Sequence, residues 1–431
     1  MKITKCFFAM ILMVMLLVAL FACANDTPII GTNHTSPNTG IDQSNAETKD
    51  DQSGLDSESV CLDWVWVMNA YPDGALSEVG YYYLGANGML SYADLAVEGS
   101  VILCSNAGCT HKNESCEAFV SNTGHNPMFF RNDKIYYVEN NSLYLRNEDG
   151  TGLRKVSDVG MKYLKDQKSL HYRSFAVAEN FLYMNVRVNS IVPDPATGGK
   201  KVSNELNSIF RIDLRTGKEE VLVEQKVQNG LDNLTLCAVH PDAVLFSKQT
   251  GIDVSKDDPK YDEKINQIQV SLEYYHIGTQ RTKKLFQKSF LECSSFIAVA
   301  NGKVYYITRS YTQQNDSGYC YAYDLQTDTD ELVCKESFLY LGKNYCLKAD
   351  RDTDIWYVFN LETREKLPCE YQKSMLVRSM SDAGFVLYRL MEEEDGSRLL
   401  VYDYIPYTAL SDGLQEGDMK PLYSIEVWDG H

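Results

Sequence analysis

The sequence is poor in positive charge. Its 41 Lys and Arg residues are outnumbered by 59 Asp and Glu residues, which gives a formal net charge of −18 at pH 7. No long run of Lys or Arg forms a local exception. An acidic surface repels phosphate backbones and anionic lipid headgroups. The composition therefore argues against nucleic acid as a partner and against membrane adhesion through surface charge.

Motifs of the common catalytic classes are also missing. The sequence contains no G-x-S-x-G, no H-E-x-x-H and no P-loop. Carboxylates are plentiful enough to supply a pair for glycoside hydrolysis, but nothing in the sequence selects one pair. We therefore assign no catalytic residue from the sequence.

The N-terminus has the composition of an export signal. Lys2 and Lys5 precede an apolar run that extends from Cys6 to Ala22. The run ends in "LFAC", Leu20 to Cys23, which resembles the lipobox of bacterial lipoproteins. That resemblance implies cleavage before Cys23, attachment of diacylglycerol to its thiol, and a lipid-anchored chain on the extracellular face of the cell membrane. An uncleaved membrane anchor and free secretion are the alternatives.

The next segment is polar and contains few large apolar residues. Residues 24–60 are rich in Asn, Asp, Ser, Thr and Gly, so they cannot bury enough surface to offset the entropy of ordering. We interpret residues 1–22 as a signal peptide, 23–60 as the lipidated cysteine with a flexible linker, and 61–431 as one folded domain. The lipid anchor would be its only contact with the membrane, and we expect a monomer.

The folded part is predicted to be all-β. Helical periodicity does not persist after the signal, whereas short alternating segments rich in Tyr, Val, Ile and Leu recur between turn residues. A unit of strand, strand, polar turn and strand repeats about every 51 residues. The residues that open the polar turns are Asp94, Asn147, Asp213, His276, Asp324, Asn360 and Asp403. Asp or Asn at this position accepts a hydrogen bond from the backbone two residues on. His276 and Asp403 depart from the pattern.

Seven units of this length predict a β-propeller with about seven four-stranded blades. The clearest unit, "SIFRIDLRTGKEEVLV", resembles the YWTD-type and TolB-like propeller repeats of Gram-positive surface lipoproteins. Six blades are possible if one unit is an insertion, and eight if residues 63–69 open another. Alternatively, residues 63–69 or 423–429 lend a strand across the ring closure.

Two polar inserts interrupt the repeat, at residues 189–204 and 251–267. Both fall between the second and third strands of adjacent units, so we expect them side by side on one face. They are either solvated loops or a rim that contacts a partner.

The number of cysteines favours disulfide bonds. Of the 12 cysteines, Cys6 would be removed and Cys23 lipidated, which leaves an even number that favours disulfides outside the cell. Cys320 and Cys334 flank one hairpin and could pair, although a bulge would turn them to opposite faces.

The pattern C-x4-C-x-H-x4-C stands out in the connection after the first unit. Its members Cys104, Cys109, His111 and Cys116 form a Cys₃His set of the kind that zinc takes in structural sites. A Cys104–Cys116 or Cys109–Cys116 disulfide, with His111 as a bystander, and three free thiols are the alternatives. The spacing resembles a motif of lipoprotein propellers, and that resemblance does not distinguish a metal from a bridge.

Two functions remain compatible with the sequence. The first is a binding or scaffold module that contacts a cell-envelope protein, peptide or glycan through propeller loops. The second is a hydrolase or lyase that acts on glycans or peptides at the central funnel. Convergent carboxylates and aromatics at the funnel mouth would favour the enzyme, and a channel plugged by side chains would favour the scaffold.

Overall fold

A computed structural model describes most of the chain after the polar N-terminal segment. The described residues are 64–69, 74–85, 87–112, 114–121, 127–164, 168–194, 198–228, 231–251, 258–265, 267–308, 318–334, 338–349, 355–370, 375–392 and 397–427. Cys23, His34, His125 and His431 lie outside them. Within the described part, no helix is both long and apolar enough to cross a membrane.

Seven antiparallel four-stranded units follow one another along the chain, which confirms the predicted propeller. Blade 1 contains β3 (Gly74–Leu76), β4 (Gly80–Leu84), β5 (Leu90–Asp94) and β6 (Ser100–Ile102). Blade 2 contains β7 (Met128–Arg131), β8 (Lys134–Glu139), β9 (Ser142–Asn147) and β10 (Arg154–Asp158). Blade 3 contains β11 (Lys168–Ala178), β12 (Phe181–Pro193), β13 (Lys200–Asp213) and β14 (Glu219–Lys226).

The remaining blades repeat the same order. Blade 4 contains β15 (Asn233–His240), β16 (Ala243–Thr250), the short helix α1 (Tyr261–Ile265), β17 (Gln269–His276) and β18 (Arg281–Ser289). Blade 5 contains β19 (Ser295–Ala300), β20 (Lys303–Ile307), β21 (Cys320–Asp324) and β22 (Thr329–Cys334). Blade 6 contains β23 (Leu339–Gly342), β24 (Tyr345–Ala349), β25 (Trp356–Asn360) and β26 (Lys366–Pro368). Blade 7 contains β27 (Met375–Met380), β28 (Gly384–Glu392), β29 (Arg398–Pro406), two 3-10 helices (Tyr407–Ser411 and Glu416–Asp418) and β30 (Lys420–Val427).

Apolar packing between neighbouring blades closes the ring. Seven hydrophobic clusters each combine residues of two adjacent blades, and one of them joins blade 7 to blade 1. The last blade is built from residues 375–427 alone, with residues 420–427 as its outer strand. The ring therefore closes through side chains, and the alternative in which a terminal segment lends a strand across the closure is wrong.

The predicted turns are mostly correct. The Oδ1 atom of Asp213 accepts the backbone N–H of Arg215 at 2.8 Å and that of Thr216 at 3.3 Å. The same pair of bonds forms at Asp94, Asp324 and Asn360.

Three of the turn-opening positions depart from that geometry. At Asn147 the side-chain Nδ2 atom donates to the Oγ1 atom of Thr151 at 2.9 Å. At His276 the acceptor of the turn is Nδ1, which takes the N–H of Thr279 at 3.0 Å. Asp403 was predicted wrongly, because β29 continues to Pro406 and buries this residue against Arg389.

The two faces of the ring differ in their connections. Links between blades, and links between the second and third strands of a blade, emerge on one face, which we call the loop face. It carries the described parts of three long connections, 103–112, 114–121, 194, 198–199, 251, 258–265 and 267–268. The other two links of each blade emerge on the opposite face, the turn face, where most are tight turns such as 95–99 and 325–328. Both inserts lie between the second and third strands as predicted, one as a long β12–β13 hairpin and the other containing α1.

A short N-terminal segment lies along the inner edges of two blades. Strand β1 (Val65–Trp66) pairs antiparallel with β15, and β2 (Met68–Asn69) pairs antiparallel with β11. The first strands of successive blades contact one another around the ring, so these edges face its axis. Residues 63–69 therefore open no eighth blade; the part described, 64–69, runs along the axis from the turn face towards the loop face.

We expect Val67 to hold this axial segment in place. Val67 is buried in the cluster between blades 3 and 4, whereas Val65 is 39% exposed. Replacing Val67 by Ala should lower the unfolding free energy in urea by roughly 1–3 kcal/mol, because buried methyl groups are lost. The matched change Val65→Ala should cost less than about 0.5 kcal/mol. Equal effects at the two positions would contradict the axial placement of the segment.

Candidate metal centre on the loop face

The cysteine-rich connection begins directly after blade 1. Strand β6 ends at Ile102, two residues earlier than the alternation predicted, and Cys104 therefore lies in the loop. The N–H of Cys109 donates to the carbonyl of Asn106 at 3.0 Å, and the N–H of Gly108 donates to the Asn106 side chain at 3.1 Å. This turn carries the chain from Cys104 to Cys109. His111 then adopts a positive φ of 53°, which bends the chain again before Cys116.

These bends bring the four predicted ligands together. One ligand atom from each of Cys104, Cys109, His111 and Cys116 lies within 4.8 Å of all the others. The Nδ1 atom of His111 is 3.4 Å from the Sγ atom of Cys116. Ligand atoms on a tetrahedral zinc lie roughly 3.3–3.8 Å apart, given bonds of about 2.0–2.3 Å. The set could therefore hold a metal ion without a large rearrangement.

Three of the four ligands are partly exposed and Cys116 is buried. Burial raises the pKa of the Cys116 thiol to about 11. Backbone hydrogen bonding at Asn106 lowers the pKa of the Cys104 thiol, which is further lowered by contacts with Cys116 and Cys109. The thiol of Cys104 thus deprotonates more readily than that of Cys116. All three cysteines are free thiols in the structure. Their proximity suits the predicted disulfides as well as a metal.

The chain beyond Cys116 is fixed to blade 1. The N–H of Leu90 donates to the carbonyl of Ala118 at 2.8 Å, and the N–H of Val120 donates to the carbonyl of Gly88 at 2.9 Å. Cys116 and Ala118 pack on Met89 in a small apolar cluster of their own. Two backbone bonds and this apolar contact therefore hold one end of the cysteine loop.

Blade 2 supplies a buried clamp that the sequence interpretation missed. Arg146 on β9 is only 3% exposed, and its Nη1 atom donates to the carbonyl of Glu117 in the cysteine loop. Its Nε atom donates to the hydroxyl of Tyr137 at 3.0 Å. The sequence did contain a signal for this contact, because in "SLYLRN" the charged Arg146 follows buried strand positions. The loop therefore bridges two blades.

Among the described residues, the other carboxyl groups and histidines do not assemble into a second site. Among the described carboxyl groups, those with a raised pKa are Glu219 and Asp403. Burial raises both values, although Glu219 accepts the N–H of Gly160 and Asp403 pairs with Arg389. They belong to blades 3 and 7, so they do not form a catalytic pair with each other.

The described histidines outside the cluster lie apart, in different strands or turns. His171 is in β11, and the Nδ1 atom of His276 accepts the N–H of Thr279 in a turn. The ring of His240 lies edge-on to the indole of Trp64, with centroids 6.4 Å apart.

Comparisons with known proteins identify no family for this chain. No protein-family model matches the chain, and no curated protein matches it. Among solved structures, a puromycin-hydrolyzing peptidase of Mycobacterium tuberculosis is 9% identical, with a TM-score of 0.46, covering 84% of this chain and 53% of that one. An oligogalacturonate lyase from Vibrio parahaemolyticus is 12% identical, with a TM-score of 0.46, covering 80% and 92%. TolB from Acinetobacter baumannii is 11% identical, with a TM-score of 0.33, covering 67% and 60%.

This chain thus spans about half the length of the peptidase. At these TM-scores the likenesses carry no activity over to it. The propeller assignment depends on the seven sheets themselves.

The cluster geometry predicts uptake of one Co²⁺ ion by the reduced chain. Three thiolates and one imidazole should give tetrahedral cobalt bands and a thiolate-to-metal charge-transfer band in the absorption spectrum. Cys109→Ser removes one ligand and should weaken binding more than about tenfold. Cys334→Ser, at a partly exposed cysteine outside the cluster, is the matched control and should bind as the parent does. A reduced chain that takes up no cobalt would show that the cluster is not a metal site.

Proposed function

We propose that the chain is a Gram-positive surface lipoprotein that acts as a binding module. It is anchored to the extracellular face of the cell membrane through diacylglycerol on Cys23 and carries a signal peptide that is removed. The loop face of a monomeric propeller contacts a cell-envelope protein, peptide or glycan. The observation that carries this proposal is the asymmetry between the faces: Trp64, where the described chain begins, lies at the turn face, and most of the long connections emerge on the loop face.

The axial segment sets this asymmetry. Trp64 lies beside His240 at the turn-face end of β15, and the chain then runs towards the loop face before β3 begins. The residues before Trp64 are therefore joined at the turn face. The loop face, with the cysteine loop and both inserts, has no tether attached and is available to a partner.

One buried residue, Asp232, links the hairpin of blade 3 to the base of the insert in blade 4. Asp232, 6% exposed, accepts the N–H of Gln228 at 2.8 Å and the N–H of Gly251 at 3.4 Å. Its carbonyl oxygen accepts a bond from the Asn207 side chain at 3.3 Å. These bonds tie the hairpin of blade 3 to the start of the insert in blade 4. A fixed base reduces the entropy that a partner must remove on binding.

The same axial segment bears on the enzyme alternative. A funnel-centred hydrolase or lyase needs an open axis in which carboxylates and aromatics converge. Residues 64–69 occupy the inner edges of blades 3 and 4, where such a site would be built. This occupancy supports binding through surface loops in preference to chemistry in the funnel.

Zinc is the metal that fits the proposed module best. Three thiolates and one imidazole make a closed set of four ligands with no position left for substrate, which is typical of structural zinc. At this position zinc would fasten the cysteine loop, which already contacts blades 1 and 2, and so fix part of the loop face. Its contribution would be conformational.

Lipidation is tested at the two N-terminal cysteines. Cys23→Ser should abolish incorporation of labelled fatty acid and move the chain from the detergent phase to the aqueous phase of a cell extract, because two acyl chains are lost. Cys6→Ser is the matched control, since this cysteine lies in the segment that would be removed, and it should leave labelling unchanged. Labelling that survives Cys23→Ser would refute the anchor.

Binding is tested by comparing the two faces. The exposed cross-strand pair Ile191 and Val202 lies on the loop-face hairpin, and the exposed Val79 and Val97 lie in turns of blade 1 on the opposite face. Replacing Ile191 and Val202 by Ser in the fragment from Val60 onward should weaken its binding to purified cell envelope about tenfold, equivalent to about 1.4 kcal/mol. The matched Val79→Ser/Val97→Ser variant should bind normally.

Envelope digested with a protease or with a glycosidase identifies the ligand as protein or glycan. Loss of binding in the turn-face variant alone would contradict the proposed orientation.

A further inference from the structure

A second group of thiols lies between blades 5 and 6. Cys320 is the first residue of β21 and Cys334 is the last residue of β22, and the two are paired directly across the sheet. A register shift lies between this pair and the next, Tyr321 opposite Leu332, which leaves Val333 as the additional residue. Without that bulge, Val333 would face Cys320. The bulge therefore creates the cysteine pair, contrary to our expectation that it would separate the two side chains.

The spacing of such a pair suits a covalent bond. Residues directly opposite in an antiparallel sheet have Cα atoms about 4.5 or 5.5 Å apart, and disulfides span about 4.4–6.8 Å between Cα atoms. The two side chains share one apolar cluster, in which Cys320 is fully buried and Cys334 is partly exposed. A hydrogen bond with the thiol of Cys334, together with burial, raises the pKa of Cys320.

We propose that Cys320 and Cys334 form a disulfide that closes the open end of the β21–β22 hairpin. The oxidant is a small-molecule disulfide or a thiol–disulfide exchange protein. The partly exposed Cys334 attacks one sulfur of the oxidant as a thiolate, forms a mixed disulfide and releases one thiol. The Cys320 thiolate then attacks the Cys334 sulfur, forms the bridge and releases the second thiol. Two thiol protons and two electrons leave the chain, and the oxidant is reduced to two thiols.

The bridge would stabilise the base of a loop-face connection. The described chain leaves β20 at Thr308 and returns through Tyr319 to Cys320, and the N–H of Thr308 donates to the carbonyl of Tyr319 at 2.9 Å. A bond between Cys320 and Cys334 ties this return point to the outer strand of the same blade. Cys346 of blade 6 is a neighbour in the same cluster, but it belongs to a different sheet and has no register partner among the other cysteines. The geometry therefore favours Cys320 as the partner of Cys334.

Peptide mapping tests the bond. The full chain, purified in reduced form, is incubated with glutathione disulfide, and free thiols are then alkylated. Trypsin leaves both cysteines in residues 310–335, and a glutamate-specific protease then cuts between them after Glu331. The two fragments should stay joined until a reductant is added, and the intact chain should show two fewer alkylated thiols at Cys320 and Cys334. Full alkylation of both cysteines would overturn the proposal.

Two variants distinguish the Cys320–Cys334 bond from a Cys334–Cys346 bond. Cys334→Ser should leave Cys320 free, whereas Cys346→Ala should keep the bridge. Linkage of residues 310–335 to residues 344–348 would show a Cys334–Cys346 bond and overturn the proposal. Formation of the bond on living cells requires the oxidising surface location of the proposed function, whereas the reaction in solution does not. A bridge in solution, with free thiols in chain isolated from the envelope, would support the geometry and count against the surface location.

Discussion

Packing of apolar side chains between neighbouring blades is the interaction on which the rest of the structure depends. No described strand of one blade pairs along its length with a strand of the next, although an isolated bridge between Cys369 and Leu414 links blades 6 and 7. Seven clusters of buried Tyr, Val, Leu and Ile residues fill the spaces between the blades. Burial of one such side chain contributes about 1.5–3 kcal/mol. Second strands such as "KIYYV" supply large residues to both faces of their blade, and this alternation is the reason for the abundance of tyrosine. The loops take their positions from this ring.

Local sequence was sufficient to predict the blades, because each one is a single continuous segment. The alternation along "KVYYI" and the acceptor side chain of Asp213 act over a few residues, so both can be identified without a structure. Asp403 shows the limit of that approach, since the same residue type is buried in a strand when Arg389, diagonally across on the neighbouring strand, forms an ion pair with it. The four cysteine-loop ligands were predicted from their spacing, whereas the choice between metal and disulfide was not, because both require the same proximity.

Features that depend on distant pairing were not predictable. The axial strands are two residues long, and they pair with strands more than one hundred residues away, at Val239 and Phe175. Nothing in residues 64–69 distinguishes these partners from any other strand edge. The clamp at Arg146 depends likewise on a carbonyl in the connection between blades 1 and 2. The bulge at Val333 changes which residue faces Cys320, and a bulge is not encoded by alternation.

The axial segment also determines how the domain responds to mechanical force. Tension applied to the N-terminal end pulls along β1 and β2, parallel to the edges with which they pair. Hydrogen bonds loaded in this direction are strained together, in shear, whereas bonds at the end of a peeled hairpin break one after another. The segment between the tether and blade 1 therefore bears the pull first. The tension reaches blade 1, which packs against blade 7, only after that segment has slid out of the ring.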